Sequence, residues 1–207
     1  MDYAKESVKV YNKIAFDYAN QFDKDTTDNK YIDVFLSYLN KESRILELGC
    51  GTGRLTRYIY DKGYNIKGLD LSKEMLNIAK KNHNKIKFVC KDIRKIDYKT
   101  DSFDALAIFY ALFHLNKSEV LKLFPRINKI LKKQGILGLI LQEGSGEKII
   151  NTPLSSNEKL YLNLYTESEI SSILKKFGFK ILFVGRKSFD IKVELPYNKL
   201  FIFAKKL

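Results

Sequence analysis

Apolar and polar positions along this 207-residue chain alternate between two periods, and that alternation outlines a fold before any motif is read. Amphipathic stretches predict helices at Asp2 to Phe22, about Asn29 to Leu39, Arg54 to Lys62, Lys73 to Asn82, Lys117 to Leu131 and Glu167 to Phe177. Short apolar runs between them predict strands at Arg44 to Leu48, Asn65 to Asp70, Lys87 to Lys91 and Phe103 to Tyr110, followed by Ile136 to Gln142, Lys180 to Lys187 and Lys199 to Lys205. Helix and strand in alternation predict a parallel sheet covered on both faces, the doubly wound α/β arrangement. A chain of this length with 45% apolar residues fits one domain over residues 1–207.

The first strand runs directly into Gly49-Cys50-Gly51-Thr52-Gly53 and then into a helix. Glycines suit such a turn because a backbone without Cβ adopts positive φ and approaches a ligand closely. A dinucleotide fingerprint would place the third glycine one residue later, and a phosphate-binding P-loop would add Lys-Ser/Thr after the loop. Neither is present. Glu47 lies two residues before the first glycine, so the spacing points to a nucleotide-like ligand that carries positive charge. The second strand ends in Asp70, where a carboxylate can hold a ribose diol, and Ser72 is placed to cap the next helix. The third ends near Asp92, placed to accept from an adenine amino group.

These residues resemble the class I S-adenosylmethionine-dependent methyltransferases of the small, single-domain type. The resemblance is carried by Glu47-Leu48-Gly49-Cys50-Gly51-Thr52-Gly53, Leu69-Asp70-Leu71-Ser72, Met75-Leu76, Asp92-Ile93, Phe103-Asp104-Ala105, His114-Leu115 and Leu131-Lys132-Lys133-Gln134-Gly135. It implies a Rossmann-like seven-stranded sheet in the order 3-2-1-4-5-7-6 with the last strand antiparallel. It also implies S-adenosylmethionine as cofactor and S-adenosylhomocysteine as product. The glycine loop, with Cys50, would pass the methionine part, Asp70 the ribose, and Asp92 with Ile93 the adenine. Leu71, Met75, Phe109 and Tyr110 would complete the cofactor site. Gln134 departs from the family's Lys-Pro-Gly-Gly turn at a position that is structural.

Two pieces lie outside the repeating units, and acceptor specificity should reside in them. Residues 1–40 form an amino-terminal helical lid, in which Tyr11-Asn12-Lys13-Ile14-Ala15-Phe16-Asp17-Tyr18 resembles the family's opening Tyr-x-x-Ile-Ala-x-x-Tyr. Tyr11 and Tyr18 would touch cofactor or substrate, Tyr18 with a catalytic part. Plain amphipathic packing is the alternative reading of both. Residues 143–165 form a second insertion, read as a substrate cover, with Tyr161 and Tyr165 reaching the acceptor or strapping down on the core. Gln142 ends the preceding strand beside the expected methyl group. His114 follows the fourth strand, placed either to act as a general base and bind the acceptor or to cap a turn. His83, in a polar run, is expected to face solvent.

Charge changes this picture little. The formal net charge is +13, yet 31 of the 37 basic residues are lysine and they are scattered over every helix. A nucleic-acid face would concentrate arginine and interleave aromatics. Two cysteines offer neither a disulfide framework nor a metal cluster, so no metal is expected. With no long apolar run and a polar start, a cytoplasmic protein without membrane contact is expected, as monomer or homodimer. The fourth strand is not followed by the Pro-Pro motif of adenine-methylating enzymes, and neither cysteine sits where a covalent pyrimidine methylase needs one. A small-molecule acceptor attacked through oxygen, nitrogen or sulfur is the reading that remains. RNA methylation through the lysine coat and a non-catalytic S-adenosylmethionine-binding regulator stay open beside it.

Overall fold

A computed structural model describes residues 2–190 and 194–207. The chain opens with α1 (Tyr3–Phe22) and α2 (Asn29–Leu36). Then β1 (Arg44–Leu48), α3 (Arg54–Asp61), β2 (Asn65–Asp70), α4 (Lys73–Asn82), β3 (Lys87–Cys90), β4 (Phe103–Phe109), α5 (Lys117–Ile130) and β5 (Leu131–Gln142) follow. The remainder is β6 (Gly146–Thr152), β7 (Ser155–Leu164), α6 (Glu167–Lys176), β8 (Phe179–Lys187) and β9 (Lys199–Lys206).

Seven of these strands form one sheet in the order β3-β2-β1-β4-β5-β9-β8. With β6 and β7 set apart, that is the expected 3-2-1-4-5-7-6 order. β1 is parallel to β2 and β4, whereas β9 runs antiparallel between β5 and β8. Successive residues of a strand face opposite sides, and β4 shows both destinations. Its Ala105, Ala107 and Phe109 join Phe35 of α2 and Ile59 of α3. Its Leu106 and Ile108 join Leu123, Phe124 and Ile127 of α5. All are buried, and each large side chain taken out of water contributes roughly 1.5–3 kcal/mol before chain entropy is subtracted.

Helix starts follow local chemistry. Ser72 caps α4 through its Oγ, which accepts from Met75 N at 3.2 Å. Asn116 and Glu119 form a reciprocal capping box at the start of α5. β5 begins directly after α5, five residues earlier than the apolar pattern suggests, and its register against β4 shifts between Phe103 and Ala105. Gln134 takes φ of +63° within that stretch.

Residues 143–165 are a β-hairpin and not an irregular loop. β6 and β7 pair antiparallel as a separate two-stranded sheet, joined to the end of β5 by the bridge between Glu143 and Tyr165. Leu160, Leu162 and Leu164 of β7 recur with period two and pack on Val10 and Ile14 of α1 and on Phe113. The hairpin and the amino-terminal helix therefore pack on each other beside the turn that follows β4. No helix among the described residues is long and apolar enough to cross a membrane.

Candidate functional site

The turn after β1 is built by its glycines. Gly49 has φ of +80°, and a Cβ there would stand 2.3 Å from the Cβ of Ala111. The Gly49 and Cys50 amides donate to Leu69 O at 2.8 and 2.9 Å. Gly51, at φ +53°, donates its amide to Asp70 Oδ2 at 2.8 Å, while Ser72 N donates to Asp70 Oδ1 at 2.8 Å. Loop and acid thus hold each other. Gly53 serves another purpose. It opens α3 at φ +84°, a Cβ there would meet the Phe88 ring at 2.8 Å, and it does not line the cavity that the other two glycines face.

That cavity has a volume of about 960 Å³, open mouth included, between this loop and α1. Glu47 and Asp70 form its acidic wall, with Cys50 beside them. Leu71, Met75 and Ile93 supply apolar surface, and Phe109 and Tyr110 stand at the end of β4. Glu47 is 2% exposed and accepts a hydrogen bond from the Thr56 hydroxyl. Burial pushes its carboxyl up to about 8, so much of it is protonated at neutral pH. Burial also raises Asp70, against the pull of the amides it accepts from.

Asp92 lines the cavity too, but its carboxylate is not free. Arg94 Nη2 holds Oδ2 at 2.7 Å and Nε holds Oδ1 at 3.0 Å. Burial raises Asp92, yet the guanidinium beside it brings it below the usual carboxylate range. Arg94 also bonds Asp2, which caps α1, and Glu119 of α5. The acid expected to meet adenine is thereby one of three carboxylates gathered on Arg94, which ties the start of α1 to β3 and α5.

His114 sits in a single helical turn after β4 and is 9% exposed. Its Nδ1 is 3.0 Å from the carbonyl oxygen of Tyr161, which can only accept, so Nδ1 carries the proton. Nε2 is then the acceptor for the Tyr11 hydroxyl, 3.0 Å away. Burial pushes the imidazole down to about 4 and raises the Tyr11 phenol far above its ordinary value. Tyr18 stands edge-on to Tyr11, ring centres 5.9 Å apart, and burial pushes it up to about 12.

A second cavity of about 640 Å³ adjoins the first, and Tyr11, Tyr18, Arg54 and Tyr110 line both. Tyr110 is held at φ +61°, uncommon for a residue with a bulky side chain. Its hydroxyl donates to Asp28 Oδ2 at 2.9 Å. Asp28 is fully buried and also receives Arg54 Nη2 at 3.0 Å and Lys187 Nζ at 2.9 Å. Gln142 lines this cavity and not the first.

Tyr161 and Tyr165 line neither cavity. Tyr161 stacks on Tyr3, centroids 4.2 Å apart, and gives only its backbone carbonyl to the site. Tyr165 is buried in the main core, its hydroxyl accepting from Asn163 Nδ2 at 2.6 Å. Both are strap residues because β7 turns these side chains away from the cavities. His83 is half-buried beside Gly53 and not solvent-facing.

Arg54, Ser7, Asp28 and Lys199 are among the site residues that escaped the sequence reading. Arg54 follows the third glycine directly and was findable there. Ser7, Asp28 and Lys199 carry no local signal. Ser7 Oγ lies buried at the first cavity with no hydrogen-bond partner among the described residues. An adenosyl sulfonium fits what surrounds it: a wall of two acids, an apolar stretch for the base, and a hydroxyl left without a partner.

A family model described as a methyltransferase domain matches residues 45–135. The Bacillus subtilis protein YqeM is 36% identical over 104 residues, 48% of this chain and 42% of that protein, so the likeness spans less than half of its length. The ubiquinone/menaquinone biosynthesis C-methyltransferase UbiE of Campylobacter jejuni is 28% identical with both chains fully covered. Among solved structures, magnesium protoporphyrin IX methyltransferase from Synechocystis with bound S-adenosylmethionine superposes with a TM-score of 0.77. It is 16% identical and covers 100% of this chain and 98% of that one, a likeness of fold. With that fold, this glycine loop and these relatives, the chain belongs to the class I S-adenosylmethionine-dependent methyltransferases.

Proposed function

We propose that this chain moves the methyl group of S-adenosylmethionine, bound in the first cavity, to a small-molecule acceptor bound in the second. The observation that carries the reading is the shared wall: Tyr11, Tyr18, Arg54 and Tyr110 line both cavities, so two bound molecules would meet there. When bound, the sulfonium would supply an electrophilic methyl carbon, which an acceptor lone pair attacks in line as the carbon–sulfur bond breaks and S-adenosylhomocysteine leaves.

What remains for the protein is alignment and exclusion of water, which together can supply most of the acceleration. Asp70, held in place by the Gly51 amide, would hold the ribose, and Glu47 would face the cationic end. Tyr18 and Tyr110 would fix the approach. An acceptor that arrives with an O–H or N–H could pass its proton to the Tyr11 oxygen as Tyr11 passes its own to His114 Nε2. The imidazole is neutral and oriented for this, because the Tyr161 carbonyl fixes its tautomer.

Titration calorimetry tests the cofactor half. Wild type should bind S-adenosylmethionine, and Asp70→Ala should weaken binding by about 1–3 kcal/mol through lost hydrogen bonds to a charged group. No heat with wild type, or unaltered affinity in the variant, rejects the reading. Screening metabolite fractions for S-adenosylhomocysteine release tests the acceptor half.

A further inference from the structure

We infer that the second cavity takes a largely apolar ring compound that bears no anionic group and whose hydroxyl or ring N–H hydrogen-bonds the side-chain amide of Gln142. The inference rests on the function proposed above and deepens it by naming the acceptor's chemical class.

Most of the lining is apolar or aromatic. Ile14 and Phe22 come from the amino-terminal helix, Phe113 from the turn after β4, Leu154 and Leu160 from the hairpin, and Leu195 from the segment before β9. Flat, weakly hydrated molecules gain most from such walls. The charged groups that reach the cavity already have partners within the protein. Arg54 is committed to Asp28 and to the Asp25 carbonyl, the latter at 2.8 Å. Lys199 is committed to Glu194, with Asp28 at 4.0 Å. The Asp25 carboxylate is held by the Thr27 amide and hydroxyl at 2.8 and 2.6 Å. A phosphate or carboxylate on the acceptor would find no unspent cation among the described residues lining this cavity, and would lose its water for nothing.

Gln142 is the exception. It ends β5, it is 4% exposed, and its Oε1 has no hydrogen-bond partner among the described residues. Buried amide oxygens are rarely left so, and an unmade bond at this depth favours any ligand that makes it. A site of this kind discriminates strongly against an analogue that lacks the matching donor.

The test uses the full chain saturated with S-adenosylhomocysteine and three matched probes at pH 7: 2-naphthol, 2-methoxynaphthalene and 2-naphthoate. 2-Naphthol should bind about tenfold more tightly than either of the others, the methoxy compound lacking the donor and the naphthoate carrying charge. Gln142→Leu should abolish the preference for 2-naphthol over 2-methoxynaphthalene while binding S-adenosylhomocysteine as wild type does. Equal or tighter binding of the methoxy compound or the naphthoate overturns the inference without recourse to any variant. So does a preference that survives in Gln142→Leu, or no probe binding to a chain that binds S-adenosylhomocysteine. Failure of wild type to bind S-adenosylhomocysteine would instead reject the proposed function itself.

Discussion

The hydroxyl of Tyr11 and Nε2 of His114 stand 3.0 Å apart, joining the amino-terminal helix to the turn that follows β4. The bond has one direction only, from phenol to imidazole, since the other ring nitrogen donates to Tyr161 O. Tyr11→Phe keeps the ring and its packing and removes only this bond. Turnover should fall about 10²-fold while S-adenosylhomocysteine affinity stays near wild type. Initial rates set beside a calorimetric titration separate the two, and unchanged turnover would show that the pair is structural.

His114 also predicts how stability varies with pH. The imidazole titrates near 6.5 in an unfolded chain and is pushed down to about 4 here by burial. Between those values the unfolded state binds more protons, so stability rises with pH across this window. The contribution is complete above about 6.5 and is lost as pH falls toward 4, by about 3 kcal/mol in all. Thermal melts of wild type and His114→Gln from pH 4 to 7 check it. The variant should show a flatter profile, and parallel profiles would mean that the imidazole is not shielded from water.

Glu47 carries the opposite sign. Burial lifts its carboxyl to about 8 from an ordinary 4.5, so it is mostly protonated at pH 7. A sulfonium brought beside it favours the ionised form, and binding should expel close to one proton. Calorimetry of S-adenosylmethionine binding in phosphate and in Tris reads this as a buffer-dependent enthalpy. Affinity should rise with pH up to about 8. Enthalpies that agree between the two buffers would place Glu47 outside the reach of the ligand's charge.

The sequence made the frame of this site legible and left its fastenings hidden, for one physical reason. Strand ends and glycine turns are local: β1, Gly49, Gly51 and Asp70 lie within about one βαβ unit, so periodicity and spacing disclose them. Asp92 could be placed at the tip of β3, but nothing local says that Arg94 will carry it to Asp2, ninety-two residues away in sequence. Asp28 meets Lys187 across 159 residues, and only the folded sheet brings them together. The hairpin was missed because Gly144-Ser145-Gly146 and Pro153 read as loop chemistry, whereas the alternation of Leu160, Leu162 and Leu164 decides the structure. Tyr161 and Tyr165 sit on the face of that strand which the sequence alone could not orient.

Arg94 anchors the start of the amino-terminal helix. The side chain is 16% exposed and spans Asp2, Asp92 and Glu119. Arg94→Met strands three acids near one another and frees the cap of α1. Breaking a partly buried network of this size costs about 2–3 kcal/mol, and the loss should concentrate at the amino terminus. Limited proteolysis should cut within α1 before the rest of the chain, earlier than in wild type. Uniform destabilisation without preferential cleavage would show that the helix is held chiefly by Val10 and Ile14 packing on β7.

The glycines of the loop should separate by kind of damage. Gly49→Ala forces a residue with a side chain to φ +80° and drives its Cβ within 2.3 Å of Ala111 Cβ. Both atoms are fixed to backbone, so neither can swing aside, and the loss should reach about 2–3 kcal/mol. Adding Ala111→Gly removes the collision and leaves the conformational cost, so the double variant should recover part of the loss. Gly53→Ala collides instead with the ring of Phe88 and the edge of His83, which are side chains that can yield. It should lower the melting temperature less. Because Gly53 does not line the first cavity, its folded fraction should bind S-adenosylhomocysteine as wild type does. Denaturant titrations and calorimetry on the three variants test this ordering. If Gly53→Ala weakened binding as much as Gly49→Ala, the loop would act as one rigid unit, and the division of labour between its glycines would be wrong.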